Sequence, residues 1–287
     1  MLLTHIPFDL DLTLCCGQIF KWEKKDEWWC GVIEDKPIKI RQINTQLEIK
    51  NINSNLVKRY FGLNDDLYEI KRKICIDKHI EKALNKFWGL RIIHQDPWEC
   101  LISYICATYK NIPAIRKMLY KLSEKFGEKK NFDDNIFFTF PKPEKLQSAK
   151  ESDLLDCGLG YRSKYVLATS KKIFCNESIF EDLKELPYFQ AKKKLIDLPG
   201  VGPKVADCIL LFSLGKNNAF PIDIWIKRVI LRYYSNHFSK QFISKMSTGR
   251  AITTSDYNIL NEFGRTYFGE YAGYAQEYLY HFERMIR

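Results

Sequence analysis

The stretch LPGVGPKVADCI (residues 198–209) sets Lys204 at the mouth of a helix, and AFPIDIWIKRVI, beginning at residue 219, sets Asp223 before another. A lysine in the first turn of a helix meets the positive end of the helix dipole, which opposes its charge and favours a neutral, nucleophilic amine. Read from position alone, Lys204 is more simply a solvated lysine among 45 basic residues. Asp223 read alone is an N-cap, its carboxylate accepting from the free N–H groups of the first turn. Gly200 and Gly202 let the backbone approach an anion closely, and the helix start after them offers unpaired N–H donors, which suits a phosphate. The plainer alternative is an ordinary turn between two helices.

Elements must hold these residues in place. YFQAKKKLIDL and PKVADCILLFSL both carry helical spacing, and Pro203 suits a first turn because its missing N–H is not needed there. Together with LPGVG they make a helix-hairpin-helix over residues 188–214. Ahead of it, FKWEKKDEWWCGVI, KPIKIRQI and QLEIKNI alternate apolar and polar residues between polar turns, the pattern of an antiparallel sheet with one wet face. From about residue 70 the period changes: ICIDKHIEKALNKFWG, DPWECLISYICATY, IPAIRKMLYKLSEKFG and SKYVLATSKKIF space their apolar residues three and four apart. The reading is α+β, with an N-terminal antiparallel β-sheet domain over residues 1–90 and a helical domain over residues 91–287. KFGEKKNFDDN, near 125–135, reads as an exposed loop.

The chain has 287 residues, enough for one large or two ordinary cores, and its formal charge of +10 favours an acidic partner such as nucleic acid. The opening MLLTHIPFDLDL lacks a basic leader and is broken by acids, and no stretch is long and apolar enough to span a bilayer. The expected location is inside the cell, in the cytoplasm with a prokaryotic nucleoid or in a nucleus, with no membrane partner and no secretion. Nine cysteines, odd in number and irregular in spacing, read as reduced and mostly buried thiols. The histidines form no metal-binding pair, so no metal site is expected.

A hairpin carrying lysine, followed at this distance by a Pro-x-Asp turn, resembles the HhH-GPD superfamily of DNA glycosylases, and most closely the eukaryote-type 8-oxoguanine DNA glycosylases that also act as AP lyases. CCGQIFKW (15–22), DPWECLISYICATYKNIPAI (96–115), CGLGYRSKYV (157–166), the hairpin-to-Asp unit and EYAGYAQEYLY (270–280) carry the resemblance in family order over nearly the whole chain. It implies that the damaged nucleotide is flipped out of duplex DNA, at an unstacking cost of about a few kcal/mol. Lys204 then attacks the anomeric carbon and expels the base, leaving a Schiff base that undergoes β-elimination. Asp223 stabilises the oxocarbenium-like charge on the sugar. The resemblance makes the carbonyl of Gly17 the reader of the lesion: N7 is an acceptor in guanine but carries hydrogen in 8-oxoguanine, so one carbonyl attracts the lesion and repels the normal base. Cys208, one turn after Lys204, packs on one face of the flipped base and Tyr280 on the other, where the family usually has phenylalanine, while Gln276 addresses the Watson–Crick edge. Tyr161 wedges into the duplex and Arg162 reaches the orphaned opposite base. The partner so implied is double-stranded DNA containing 8-oxoguanine, acted on by a monomer. No cofactor is required, although a monovalent cation is one way to bridge the hairpin carbonyls at Gly200 and Gly202 to phosphate.

The departures are informative. The family's N-N-N-I-A-R-I reads YKNIPAI around Asn111, putting Tyr109 where an asparagine and Ala114 where an arginine contact the orphan cytosine. A weaker preference for cytosine opposite the lesion is therefore expected. Trp225 stands where the family has a histidine near a phosphate, with Arg228 or Lys227 available to compensate. Relatives acting on oxidised pyrimidines or mispaired adenine usually follow this region with four cysteines holding an iron–sulfur cluster, and none follows Cys208 here. Alkylation-repair relatives lack the hairpin lysine. A non-catalytic DNA-binding module, or a glycosylase for other oxidised bases, is the rival reading.

Overall fold

The computed structural model describes residues 2–3, 6–176 and 178–286; Met1, Thr4 and His5 of the opening stretch lie outside the described residues. The chain opens with β1 (Leu2–Leu3), α1 (Leu10–Cys15) and the strands β2 (Glu23–Lys25), β3 (Trp28–Ile33), β4 (Lys36–Ile43) and β5 (Gln46–Lys50). These strands form one antiparallel sheet in the order β1-β5-β4-β3-β2. Trp29 pairs with Ile40 and Ile40 with Ile49 across it. The β3–β4 turn places Glu34 and Asp35 both at positive φ, the geometry of a two-residue hairpin that follows the strand twist. The helix α1 begins where Asp9 accepts from the Leu12 N–H, a capped turn inside a segment that sequence reading treats as strands.

Helices α2 (Ser54–Tyr60), α3 (Leu67–Ile74), α4 (Lys78–Lys86), α5 (Pro97–Ala107) and α6 (Ile112–Phe126) follow. The segment expected to be an exposed loop is instead a hairpin of β6 (Lys129–Phe132) and β7 (Asn135–Phe138). Asp133 and Asp134 take positive φ at its turn, and Lys39 and Lys50 of the main sheet hold the Asp133 carboxylate at 2.6 and 3.2 Å. Phe137, with Phe132 beside it, packs on Cys30 and Val32. That contact corrects the expectation of one fully wet face: WWCGVI is an unbroken apolar run because β3 is covered on both sides.

The remaining helices are α7 (Pro143–Gln147), α8 (Glu151–Asp156), α9 (Arg162–Phe174), α10 (Ile179–Glu185), α11 (Tyr188–Ile196), α12 (Pro203–Phe212), α13 (Ile224–Tyr233), α14 (Lys240–Ser247), α15 (Thr254–Phe268) and α16 (Ala272–Met285). Among the described residues no helix is long and apolar enough to cross a membrane. Besides the small Cys30–Val32–Phe137 cluster, the described residues form two larger apolar cores. One lies under the sheet and takes Leu14, Ile19, Trp22, Ile40 and Phe61. The other fills the helical body, and α3 and α4 contribute Leu67, Ile70, Ile80 and Leu84 to it. Residues 16–20 divide between the two, with Cys16 and Phe20 in the helical core and Ile19 in the sheet core. The glycine between them therefore lies on the seam.

Candidate active site

The hairpin forms where its sequence requires it. Gly200 turns the chain at φ +80°, and a Cβ there would lie 2.7 Å from the Cβ of Tyr165 on α9. Both facts demand glycine. Gly202 caps α12, Pro203 opens it, and Lys204 stands exposed in its first turn. Cys208, one turn on, is buried in the helical core, so the face that starts at solvent with the amine ends against packed side chains.

A buried polar knot anchors α12. Asp207, fully buried, accepts from Lys192 Nζ on α11 at 2.7 Å, from the hydroxyls of Tyr188 and Tyr257 at 2.5 Å each, and from Asn261 Nδ2 at 3.1 Å. Asn261 also donates to the Phe220 carbonyl at 2.8 Å. The knot ties α11, α12 and α15 together and fixes the chain that leads to Asp223. Burying an ion pair is favourable only when its remaining hydrogen-bonding capacity is met, and here four donors converge on one carboxylate.

Asp223 caps α13 as its sequence position predicts, accepting from the N–H groups of Trp225 and Ile226 at 2.9 and 2.8 Å. Its surroundings go further. Burial raises its pKa above the ordinary carboxylate value, and the charge of Lys204 is the main influence opposing the rise, followed by those two N–H groups and Arg284. Lys204 and Asp223 are thus electrostatic neighbours across the gap between two helix N-termini. Trp225, next along, lies under the guanidinium of Arg228, 4.7 Å from its ring centre.

The residues expected to read the base gather about the seam. Gly17 takes φ +110°, and a Cβ on it would come within 2.8 Å of Arg284 Nη1 and 3.1 Å of the Tyr280 hydroxyl. Arg284 donates to the Cys16 carbonyl at 2.7 Å, so α16 grips the loop directly. Gln276, one turn before Tyr280, is buried, and its Oε1 has no hydrogen-bond partner among the described residues. Tyr280 titrates high, pushed up by burial and then by Asp223; the Cys208 thiol is also raised by burial, with Lys204 opposing. The structure therefore brings Gly17, Lys204, Cys208, Asp223, Gln276 and Tyr280 into one neighbourhood from four separated segments.

Sequence reading overlooks what holds that neighbourhood. Gln18 donates from Nε2 to the Arg91 carbonyl at 2.7 Å and accepts from the Ile93 N–H at 2.8 Å. Its own carbonyl accepts from Gln95 Nε2 at 2.8 Å and from the Tyr104 hydroxyl at 3.0 Å. Arg91, fully buried, donates to the carbonyls of Pro7, Gly62 and Asp65. These groups lock the Gly17 loop between the two cores. The only sequence signal is Gln18 itself, sitting in a C-G-Q motif where an alternating strand has no need of a glutamine.

A second set lies on the outside. Tyr109 is 88% exposed and takes φ +54°, an uncommon conformation for a bulky residue. Asn111 caps α6 by accepting from the Ala114 N–H at 3.0 Å. Tyr161, 55% exposed, meets Tyr165 edge to face with ring centres 6.1 Å apart. Arg162, which sequence reading sends to the opposite base, is buried and donates to the carbonyls of Thr108 and Leu159 while lying over the Tyr161 ring. A strip of rings and loop backbone thus runs from Tyr109 through Arg162 and Tyr161 to Tyr165 and the Gly200 turn.

A helical body built on a lysine-bearing hairpin with a carboxylate facing it, joined to a small antiparallel sheet, defines the class. The chain belongs to the HhH-GPD superfamily of base excision DNA repair proteins, whose family model matches residues 102–248. Residues 1–101 match the 8-oxoguanine DNA glycosylase N-terminal domain, which narrows the family further. A probable N-glycosylase/DNA lyase of Methanothermobacter thermautotrophicus is 33% identical over 228 residues, covering 72% of this chain and 68% of that protein. The apo structure of Clostridium acetobutylicum 8-oxoguanine glycosylase/lyase superposes with a TM-score of 0.86 at 33% identity, covering 97% of this chain and 94% of that one. The same enzyme bound to double-stranded DNA with cytosine opposite 8-oxoguanine gives a TM-score of 0.86 at 32% identity, covering 97% and 92%.

Proposed function

We infer that this protein is a bifunctional DNA glycosylase and AP lyase that excises 8-oxoguanine from duplex DNA in base excision repair. The observation that carries the reading is the meeting of Lys204, Asp223 and the Gly17 loop at one place, in a chain similar over nearly its full length to an 8-oxoguanine glycosylase/lyase. The Lys204 nitrogen forms a bond to C1′ as the glycosidic bond breaks and its electron pair leaves with the base. Asp223 faces the positive charge that the sugar develops between those events. The aminal so formed opens at its C1′–O4′ bond, O4′ taking up the proton that the amine gives up, and the resulting imine loses a C2′ proton and expels the 3′ phosphate by β-elimination, which nicks the strand. Loss of a single preorganised electrostatic partner in such a step commonly costs about 10²- to 10³-fold in rate.

Borohydride reduction of the imine tests the reading. A covalent protein–DNA adduct is expected on a duplex carrying 8-oxoguanine, and Lys204→Gln is expected to abolish it while retaining binding to the duplex. Absence of an adduct from the wild-type chain would leave a hairpin that only grips DNA. Opposite the lesion we propose relaxed selectivity. Tyr109 and Ala114 lack the cytosine-contacting groups, and Arg162 gives one donor from each of its three nitrogens to a backbone carbonyl. Comparable excision rates with all four opposite bases are expected, and strong preference for cytosine would overturn this. The basic charge of the chain supports binding to DNA phosphates, and we propose that the chain acts as a single copy inside the cell, at the nucleoid or in a nucleus.

A further inference from the structure

Glu277 is an ionisable group in the base-reading neighbourhood that the reaction above does not use. It follows Gln276 on α16, is only 2% exposed, and its Oε1 has no hydrogen-bond partner among the described residues. The groups around it come from several elements. The Cys16 thiol, from the loop that carries Gly17, meets the carboxyl. Asp223 at the head of α13, Cys208 on α12, Tyr104 on α5, and Tyr280 and Arg284 on α16 all interact with it electrostatically.

These neighbours are largely committed. Arg284 donates to the Cys16 carbonyl and the Tyr280 hydroxyl, and Asp223 accepts from α13. Cys16, Cys208, Tyr104 and Tyr280 are all raised by burial and stay neutral near pH 7. His281, one turn further along α16, is lowered to about 4 and is neutral there too. Glu277 differs, because burial raises it to about 7. The unpartnered Oε1 of this buried carboxyl, beside the Cys16–Gly17 loop, needs a donor to offset its loss of water. A flipped 8-oxoguanine offers N–H donors, including the N7 hydrogen that guanine lacks.

We propose that Glu277 is a second reader of the flipped base, its carboxylate accepting a purine N–H on the side of the Cys16–Gly17 loop and repelling the bare lone pair of undamaged guanine. The proposal rests on the 8-oxoguanine reading above. The test compares affinity for duplexes carrying 8-oxoguanine or guanine from about pH 6 to about pH 8.5, a range that spans a carboxyl raised this far by burial. Cleavage of an abasic duplex, which uses Lys204 and Asp223 without any base, is followed in parallel. In the wild-type chain the preference for 8-oxoguanine is expected to rise about tenfold as pH increases through the midpoint, the scale of one hydrogen bond to a charged group. Glu277→Gln and Glu277→Ala should give flat profiles with abasic cleavage unchanged. A flat wild-type profile, an inflection that survives in either variant, or a parallel loss of abasic cleavage in both variants would each overturn the proposal. Should neither variant fold, the wild-type profile is compared with that of Asp223→Asn, and an inflection that disappears in Asp223→Asn would overturn the proposal. Failure of the wild-type chain to cleave abasic DNA would instead reject the lyase reading on which the proposal rests.

Discussion

The centre around Lys204, Asp223 and Gly17 and the outer strip from Tyr109 to Tyr165, proposed to face the lesion and the duplex, are built by opposite means. At the centre, Gly17, Asp223 and α12 are fixed by buried hydrogen bonds that reach across the chain, from Gln18 to Arg91 and Ile93 and from Asp207 to Lys192, Tyr257 and Asn261. On the strip, Tyr109 and Tyr161 stand exposed, and the one guanidinium at hand is turned inward onto backbone carbonyls. Preorganised buried donors and acceptors discriminate sharply because a wrong partner leaves them unpaired. Exposed rings stack on any base. On the function proposed above, the contrast puts selectivity for the damaged base in the interior and leaves contact with the opposite strand to permissive surfaces.

The contrast can be broken first at its deepest point. Asp207→Ala strands the Lys192 charge and three other polar groups in the interior, and is expected to cost about 3–5 kcal/mol of stability in chemical denaturation. The second test leaves the fold alone. Asn caps helices as well as Asp, so Asp223→Asn should preserve the melting temperature while lowering the single-turnover excision rate about 10²- to 10³-fold. Because burial raises the Asp223 pKa, the active carboxylate is lost as pH falls through that raised value. The wild-type rate should accordingly drop on the acid side at a pH above the ordinary carboxylate range. The smallest effect belongs to the strip: Tyr161→Ala should weaken duplex binding by about 1–3 kcal/mol, whichever base lies opposite the lesion. A loss confined to one opposite base would mean that the strip reads sequence after all.

What was legible in the sequence was local. LPGVG with Pro203 announces its turn through residues whose backbone limits are strong, and the long helices announce themselves by spacing. Asp223 reads correctly as a cap because capping chemistry is decided within three residues. The β6–β7 hairpin was not legible as a pair of strands: each is only four residues long, the first is polar but for its closing Phe, and the pair is stabilised by a sheet about 90 residues away in sequence. The better clue lay in its partner, since WWCGVI is apolar at positions an open face would leave polar. Gln18, Arg91, Asp207 and Glu277 were equally hidden. Each is an ordinary polar residue until folding buries it, and hydrogen-bond partners lie up to 86 residues away for Gln18 and 84 for Arg91.

The placement of Gly17 on the joint between two cores has a thermal corollary. The amine and the carboxylate belong to the helical lobe alone, whereas the Gly17 loop, proposed above as the sensor of the purine, depends on both lobes staying clasped. A molecule warmed toward melting would therefore go blind before it goes blunt, still nicking abasic strands while its taste for the oxidised base fades.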